Sequence, residues 1–149
     1  MEEIKNYMRL EIMSKADNVS LARLAVAAFT SQLNLTLAEI EEIKVVVSET
    51  VSNSIIHGYQ DNSSGLVEIE AKVLQGQTLQ LVVSDQGKGI EDIELAKEPS
   101  YTTDPERMGL GLSFVDSFMD EMQIVSAPGK GTKIIMTKYL QNNWKDCTN

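Results

Sequence analysis

Glu49-Thr50-Val51-Ser52-Asn53, followed further along by Asp85-Gln86-Gly87-Lys88-Gly89, are the stretches whose reading decides the fold. The first lies in a run whose apolar positions, Ile40, Ile43, Val47, Val51 and then Ser54, recur at helical spacing. Helical geometry puts the Glu49 carboxylate and the Asn53 carboxamide one turn apart on a single face. The second stretch ends the alternating run Leu79, Leu81, Val83 with an acceptor, then two glycines that allow close backbone approach. A helix carrying paired polar groups and a strand ending in a carboxylate imply a helical layer on a sheet, with chemistry at the shared end.

Working outward, Thr36 and Glu39 form a capping box ahead of the long helix, expected to run to about His57. Upstream, Met8, Leu10 and Ile12 alternate as a strand. Asn18 is expected to cap a helix with the apolar face Leu21, Leu24, Ala25, Ala28 and Phe29, leaving Arg23 outward. Downstream, Val67 to Val73 and Leu79 to Val83 make a hairpin around Gln75-Gly76-Gln77. Residues 86 to 108 read as an irregular, functional loop. A short helix is expected from Gly111 to Asp120, then a hairpin of Met122–Ser126 and Lys133–Leu140 turning at Pro128-Gly129-Lys130-Gly131. The expected fold is an α/β two-layer sandwich: a mixed, mostly antiparallel sheet covered by helices. Residues 1–149 read as a single domain, with 141–149, including Trp144, as a fraying tail.

Composition narrows the function. Thirteen basic against 22 acidic residues give a formal charge of −9, which repels a phosphate backbone and argues against direct nucleic-acid binding. No apolar run is long enough to cross a bilayer, and the first residues lack the pattern of a secretion signal. One cysteine, Cys147, cannot form an internal disulfide; the expected setting is cytoplasmic. Triad hydrolysis finds no Gly-x-Ser-x-Gly elbow. The sole histidine, His57, lies beside Gly58 where a helix-end cap explains it, and zinc lacks other ligands.

The remaining motifs suit a nucleotide. Asn53 offers a neutral oxygen to Mg2+, a hard ion that keeps water and phosphate as its other ligands. Glu49 can accept a proton from, or orient, an attacking hydroxyl. Asp85 can accept from an adenine amine, while Gly87 and Gly89 let the chain turn against base and sugar. Gly109-Leu110-Gly111-Leu112-Ser113 opens a helix whose free N–H groups can receive phosphate, and Arg107 before it can reach a terminal phosphate. Thr132, leading the last strand, can meet the base directly or through water. Neither the dinucleotide fingerprint nor a Gly-Lys-Ser/Thr loop is present.

The ordered set Glu49-x-x-x-Asn53, Asp85-x-Gly87-x-Gly89, Gly109-x-Gly111 and Gly131-Thr132 resembles the Bergerat-fold ATPases of histidine kinases, gyrase, Hsp90 and MutL. That resemblance implies ATP/ADP and Mg2+ as cofactors, Asn53 as metal ligand, Glu49 as catalytic carboxylate and Asp85 as adenine acceptor. It also implies that Gly87 and Gly89 shape the base side, Gly109 and Gly111 the phosphate lid, and that Thr132 assists at adenine. The run from Val46 to Tyr59, with Tyr101-Thr102-Thr103 and Phe118-Met119-Asp120-Glu121, is similar to the anti-sigma kinases of endospore formers. This implies a serine protein kinase that binds sporulation sigma factor F and phosphorylates a serine of an antagonist protein. Thr102, Thr103 and Arg107 would belong to its nucleotide lid, Arg23 would contact partners, and the active unit would be a homodimer. Two alternatives stay open here: a related switch kinase serving a stress-response sigma factor, and a nucleotide-gated binding module with little transfer activity.

Overall fold

A computed structural model describes residues 3–60, 62–90 and 112–140. Thr102, Thr103, Arg107, Gly109, Gly111 and the 141–149 tail therefore lie outside the described residues. In chain order the elements are β1 (Ile4–Met13), α1 (Asn18–Thr30), α2 (Leu37–Asn53) with a π-helical extension (Ser54–Gly58), β2 (Leu66–Leu74) and β3 (Thr78–Asp85). After these come α3 (Leu112–Phe118), β4 (Glu121–Ser126) and β5 (Thr132–Tyr139). The five strands form one sheet in the order β1-β2-β3-β5-β4, and every described pairing is antiparallel.

Strand alternation selects the face that the helices cover. Register aligns Leu10 with Ile69, Ile69 with Val83, Val83 with Ile134 and Ile134 with Ile124, so one row of branched side chains crosses the whole sheet. A second row, Met8, Ala71, Leu81, Met136 and Met122, lies beside it. Ile69, Ala71, Leu81 and Met136 are fully buried against Val26, Ile43, Val46, Val47, Val51 and Val115 in one core. Each such aliphatic side chain contributes about 1.5–3 kcal/mol on burial. The opposite face is polar: Arg9 pairs with Glu68, and the Tyr7 hydroxyl donates to Glu70 at 3.1 Å.

α2 begins as its sequence indicates. The Glu39 amide donates to Thr36 Oγ1 at 3.0 Å and the Thr36 amide to Glu39 Oε1 at 2.9 Å, closing the capping box. α1 differs from expectation in two respects. Asn18 is its first residue rather than its cap, and its side-chain amide donates to the Met13 carbonyl. The buried row is Ala22, Val26 and Thr30, with Leu21 and Leu24 half exposed or more. Small side chains at four-residue spacing let α1 lie close to its neighbours, and this outweighs the larger leucines in choosing the inward face.

Candidate functional site

The site is built where α2 changes its winding. From Ser54 the helix widens into a π turn, and the Tyr59 amide reaches back five residues to the Ser54 carbonyl at 2.9 Å. Helical periodicity alone predicts a regular α-helix here; after the widened turn Gly58 lies against the end of β3. The Gly58 carbonyl then accepts from the Lys88 amide at 2.9 Å, and the Tyr59 hydroxyl accepts from the Gln86 amide and donates to the Leu66 carbonyl. A helix end and a strand end are thereby locked together.

Asp85 sits at that junction, 4% exposed. Its Oδ1 accepts from the Gly87 amide at 2.8 Å, and the carboxylate also accepts from the Ser54 hydroxyl and the Thr132 backbone. Burial pushes its pKa above the ordinary carboxylate value, and these three donors pull it partway back. Because the folded pKa is raised, the charged carboxylate costs stability above that pKa, and the cost is relieved as pH falls through it. Buried acceptors held at such a cost are frequent at functional positions, which makes Asp85 a candidate.

The residues around it line a small pocket that is open on one side. Its lining is Asn53, Ser54, His57 and Gly58 from the helix end, Asp85, Gly89 and Ile90 after β3, Leu112, and Thr132 and Ile134 from β5. Asp85 and Thr132 are register partners across β3 and β5, which explains how residues so distant in sequence share one wall. Apolar walls from Ile90, Leu112 and Ile134 with few convergent polar groups suit a planar base.

Of the expected site residues, Asn53, Asp85, Gly89 and Thr132 line this pocket. Glu49 lies one helical turn before Asn53 and is partly exposed. Gly87 serves the protein first: a Cβ there would overlap the Gly58 carbonyl, and one at Gly89 would overlap the Ala127 carbonyl. Arg23 is half buried rather than fully outward, its guanidinium donating to Ser48 Oγ at 3.2 Å and Ser20 Oγ at 3.1 Å. His57 is the basic residue of the last, π-helical turn and also lines the pocket.

Two contributors escape sequence reasoning. Ser54 donates to Asp85; its signal was a polar residue at the end of the apolar row Ile43, Val47, Val51. Ser126 is the second. Its Oγ donates to the Gly131 carbonyl at 2.8 Å, accepts from the Ile90 amide at 2.9 Å and lies 2.9 Å from Thr132 Oγ1. Since its one proton goes to Gly131, Thr132 is the donor between the two hydroxyls. The Thr132 oxygen thus keeps acceptor capacity at the pocket wall.

Residues 12–138 match the family model of the histidine kinase-like ATPase domain. An anti-sigma F factor of Clostridium kluyveri is 50% identical over 139 residues, covering 92% of this chain and 96% of that protein. The anti-sigma F factor of Anoxybacillus flavithermus is 44% identical over 146 residues, covering 97% and 99%. The chain belongs to the anti-sigma F factor family of histidine kinase-like ATPases. Solved structures agree in fold. The RsbU and RsbW domains of a Mycobacterium tuberculosis protein superpose with a TM-score of 0.67 at 18% identity, over 91% of this chain and 33% of that one. The catalytic domain of the histidine kinase ThkA gives 0.58 at 14% identity, over 90% and 95%.

Proposed function

We propose that this chain is an ATP-dependent protein-serine kinase that binds and inhibits sporulation sigma factor F and phosphorylates a serine of the antagonist protein that opposes it. The observation that carries the nucleotide half of the reading is the buried Asp85 acceptor set in an apolar-walled pocket beside Asn53. The partner half rests on family membership across nearly the whole chain.

The residues fit the nucleotide. The missing Cβ of Gly58 would stand 3.0 Å from Asp85 Oδ1, so glycine there keeps the carboxylate open to a base. They also fit Mg2+. Among the described residues no three His, Cys, Asp or Glu side chains converge to hold a metal. An ion beside Asn53 would draw its other ligands from phosphate and water, as Mg2+ readily does. When bound, Mg2+ would offset charge on the terminal phosphates. Asp85 accepts from the adenine amine, and Thr132 assists at the base. Glu49 takes the proton of the attacking serine hydroxyl. Arg107, Thr102, Thr103, Gly109 and Gly111 are assigned to the phosphates by the motifs they share with the family.

Asn53→Ala is expected to weaken Mg2+-dependent ATP binding by about 10- to 100-fold while leaving thermal stability nearly unchanged. Calorimetry with and without Mg2+ decides it; unchanged affinity removes Asn53 from the site.

Partner binding is assigned to α1. Arg23 shares α1 with Leu21 and Leu24, which are 51% and 58% exposed, so the helix carries both a cation and accessible apolar surface. An arginine among apolar neighbours is a common interface anchor. The working unit is a cytoplasmic homodimer, and light scattering should report twice the chain mass of 16.5 kDa. Arg23→Glu gives up only two partly exposed hydrogen bonds, so stability should fall by less than about 1 kcal/mol. Co-purification of sigma factor, antagonist or both should be lost with ATP binding intact. Full retention of both partners places the recognition surface elsewhere.

A further inference from the structure

We propose that Ser126 is a positioning residue that preforms one side of the nucleotide pocket, its single hydroxyl fixing Thr132 at the head of β5 and Ile90 at the exit of the glycine loop. The inference rests on the nucleotide reading above and extends it to a side chain that stands behind the pocket lining.

Met122 and Ile124 pack inward from β4, and strand alternation puts Ser126 next in that row, where an apolar residue would ordinarily follow. Register carries the row on from Ser126 to Thr132 and from Thr132 to Asp85. The serine is half-buried, and its Oγ donates to the Gly131 carbonyl at 2.8 Å and accepts from the Ile90 amide at 2.9 Å. Thr132 Oγ1 lies 2.9 Å away and supplies the third bond. One proton and two lone pairs are all that a hydroxyl has, so these three partners use it completely. With the Ser126 proton committed to backbone, Thr132 must turn its own hydrogen toward Ser126 and keep a lone pair for the pocket. Thr132 and Ile90 both line that pocket, from segments far apart in sequence.

Three consecutive loop residues lie against the turn that follows β4. The Lys88 carbonyl accepts from the Gly129 amide at 2.6 Å, Gly89 sits where a Cβ would overlap the Ala127 carbonyl, and the Ile90 amide reaches Ser126. The first two are backbone contacts, open to many sequences at the turn. The third requires a hydroxyl at position 126. Removing it leaves the half-buried Ile90 amide without its partner and frees the Thr132 hydroxyl to rotate. Both would then have to be ordered when a ligand arrives, at the expense of affinity. The effect belongs to binding rather than to phosphate transfer. Glu49 and Asn53 stand on α2, and the three bonds of Ser126 all go to the loop and to the head of β5.

The test is equilibrium binding of ATP and ADP with Mg2+, and steady-state transfer to the antagonist serine, for the full chain and for Ser126→Ala, well below the melting temperature of each. Both nucleotides should bind about 5- to 30-fold more weakly and by the same factor, with KM for ATP raised and kcat within about twofold of the parent. Ser126→Thr, which keeps the hydroxyl, should bind within about threefold of the parent. Ser126→Cys, similar in size but a weak donor and acceptor, should lose affinity in the same direction and replaces the alanine variant if that one melts too low. In a Thr132→Val background Ser126→Ala should cost only about 2- to 3-fold, the share of Ile90, because the hydroxyl it orients is gone. Unchanged nucleotide affinity in Ser126→Ala overturns the inference. So does a threonine variant as weak as the alanine one, an undiminished loss in the Thr132→Val background, or a lower kcat at unchanged KM. Failure of the parent to bind ATP with Mg2+ would instead overturn the nucleotide reading itself.

Discussion

Glu49→Gln is expected to bind ATP within about threefold of the parent and to transfer phosphate about 10²- to 10⁴-fold more slowly, the range a general base supplies. The substitution preserves side-chain length and hydrogen-bonding reach and removes only the capacity to take a proton. Glu49 lies on α2, an element capped at its start by Thr36 and Glu39 and anchored through Ile43, Val46, Val47, Thr50 and Val51, so its position should not shift. At 25 °C a loss of that size corresponds to about 2.7–5.5 kcal/mol of transition-state stabilisation. Single-turnover transfer from labelled ATP to the antagonist serine measures the rate, and calorimetry measures the affinity. A normal transfer rate would strip Glu49 of its role. A parallel collapse of rate and affinity would make it a binding residue instead.

Those expectations draw on features that were legible in the sequence because they are local. The capping box, the alternation of β2 and β3 and the acid that ends β3 are each written within a few residues, and each is found in place. The inward face of α1 was not, because hydrophobicity ranks Leu21 and Leu24 above Ala22 and Thr30, whereas close helix packing selects for small side chains. The π turn left no periodic trace: one extra residue per turn looks the same as an ordinary helix over so short a span. Its consequence, the close approach of Gly58 to Asp85, therefore could not be read from residues 49–58. Ser126 joins Ile90, Gly131 and Thr132 across long sequence separations, and only strand register brings them together. The glycines mislead in a more instructive way. Glycine permits close approach without specifying to what, and around Gly87 one approaching group is the Gly58 backbone.

The same distinction yields the largest expected loss of stability. Gly131→Ala should lower stability by more than about 3 kcal/mol, whereas Gly129→Ala, two residues away in the same turn, should cost only about 1–2 kcal/mol. Both glycines hold left-handed backbone, with φ of +75° at Gly129 and +76° at Gly131, so both substitutions carry the same conformational penalty. They differ in what a methyl would meet. At Gly129 nothing lies within 4 Å, while at Gly131 a Cβ would overlap the Asp85 carbonyl and stand 2.9 Å from Gln86 Cα. Neither neighbour is a side chain that can swing away; both belong to the backbone at the end of β3. Relief requires β3 and β5 to part at the Asp85–Thr132 pair, which separates two walls of the pocket. For a domain of this size the melting temperature should fall by at least about 6–12 °C in Gly131→Ala and by about 2–8 °C in Gly129→Ala. ATP affinity, measured well below either transition, should drop in Gly131→Ala and persist in Gly129→Ala. Equal melting temperatures in the two variants would show that the turn relaxes away from β3, and that Gly131 is needed for its φ alone.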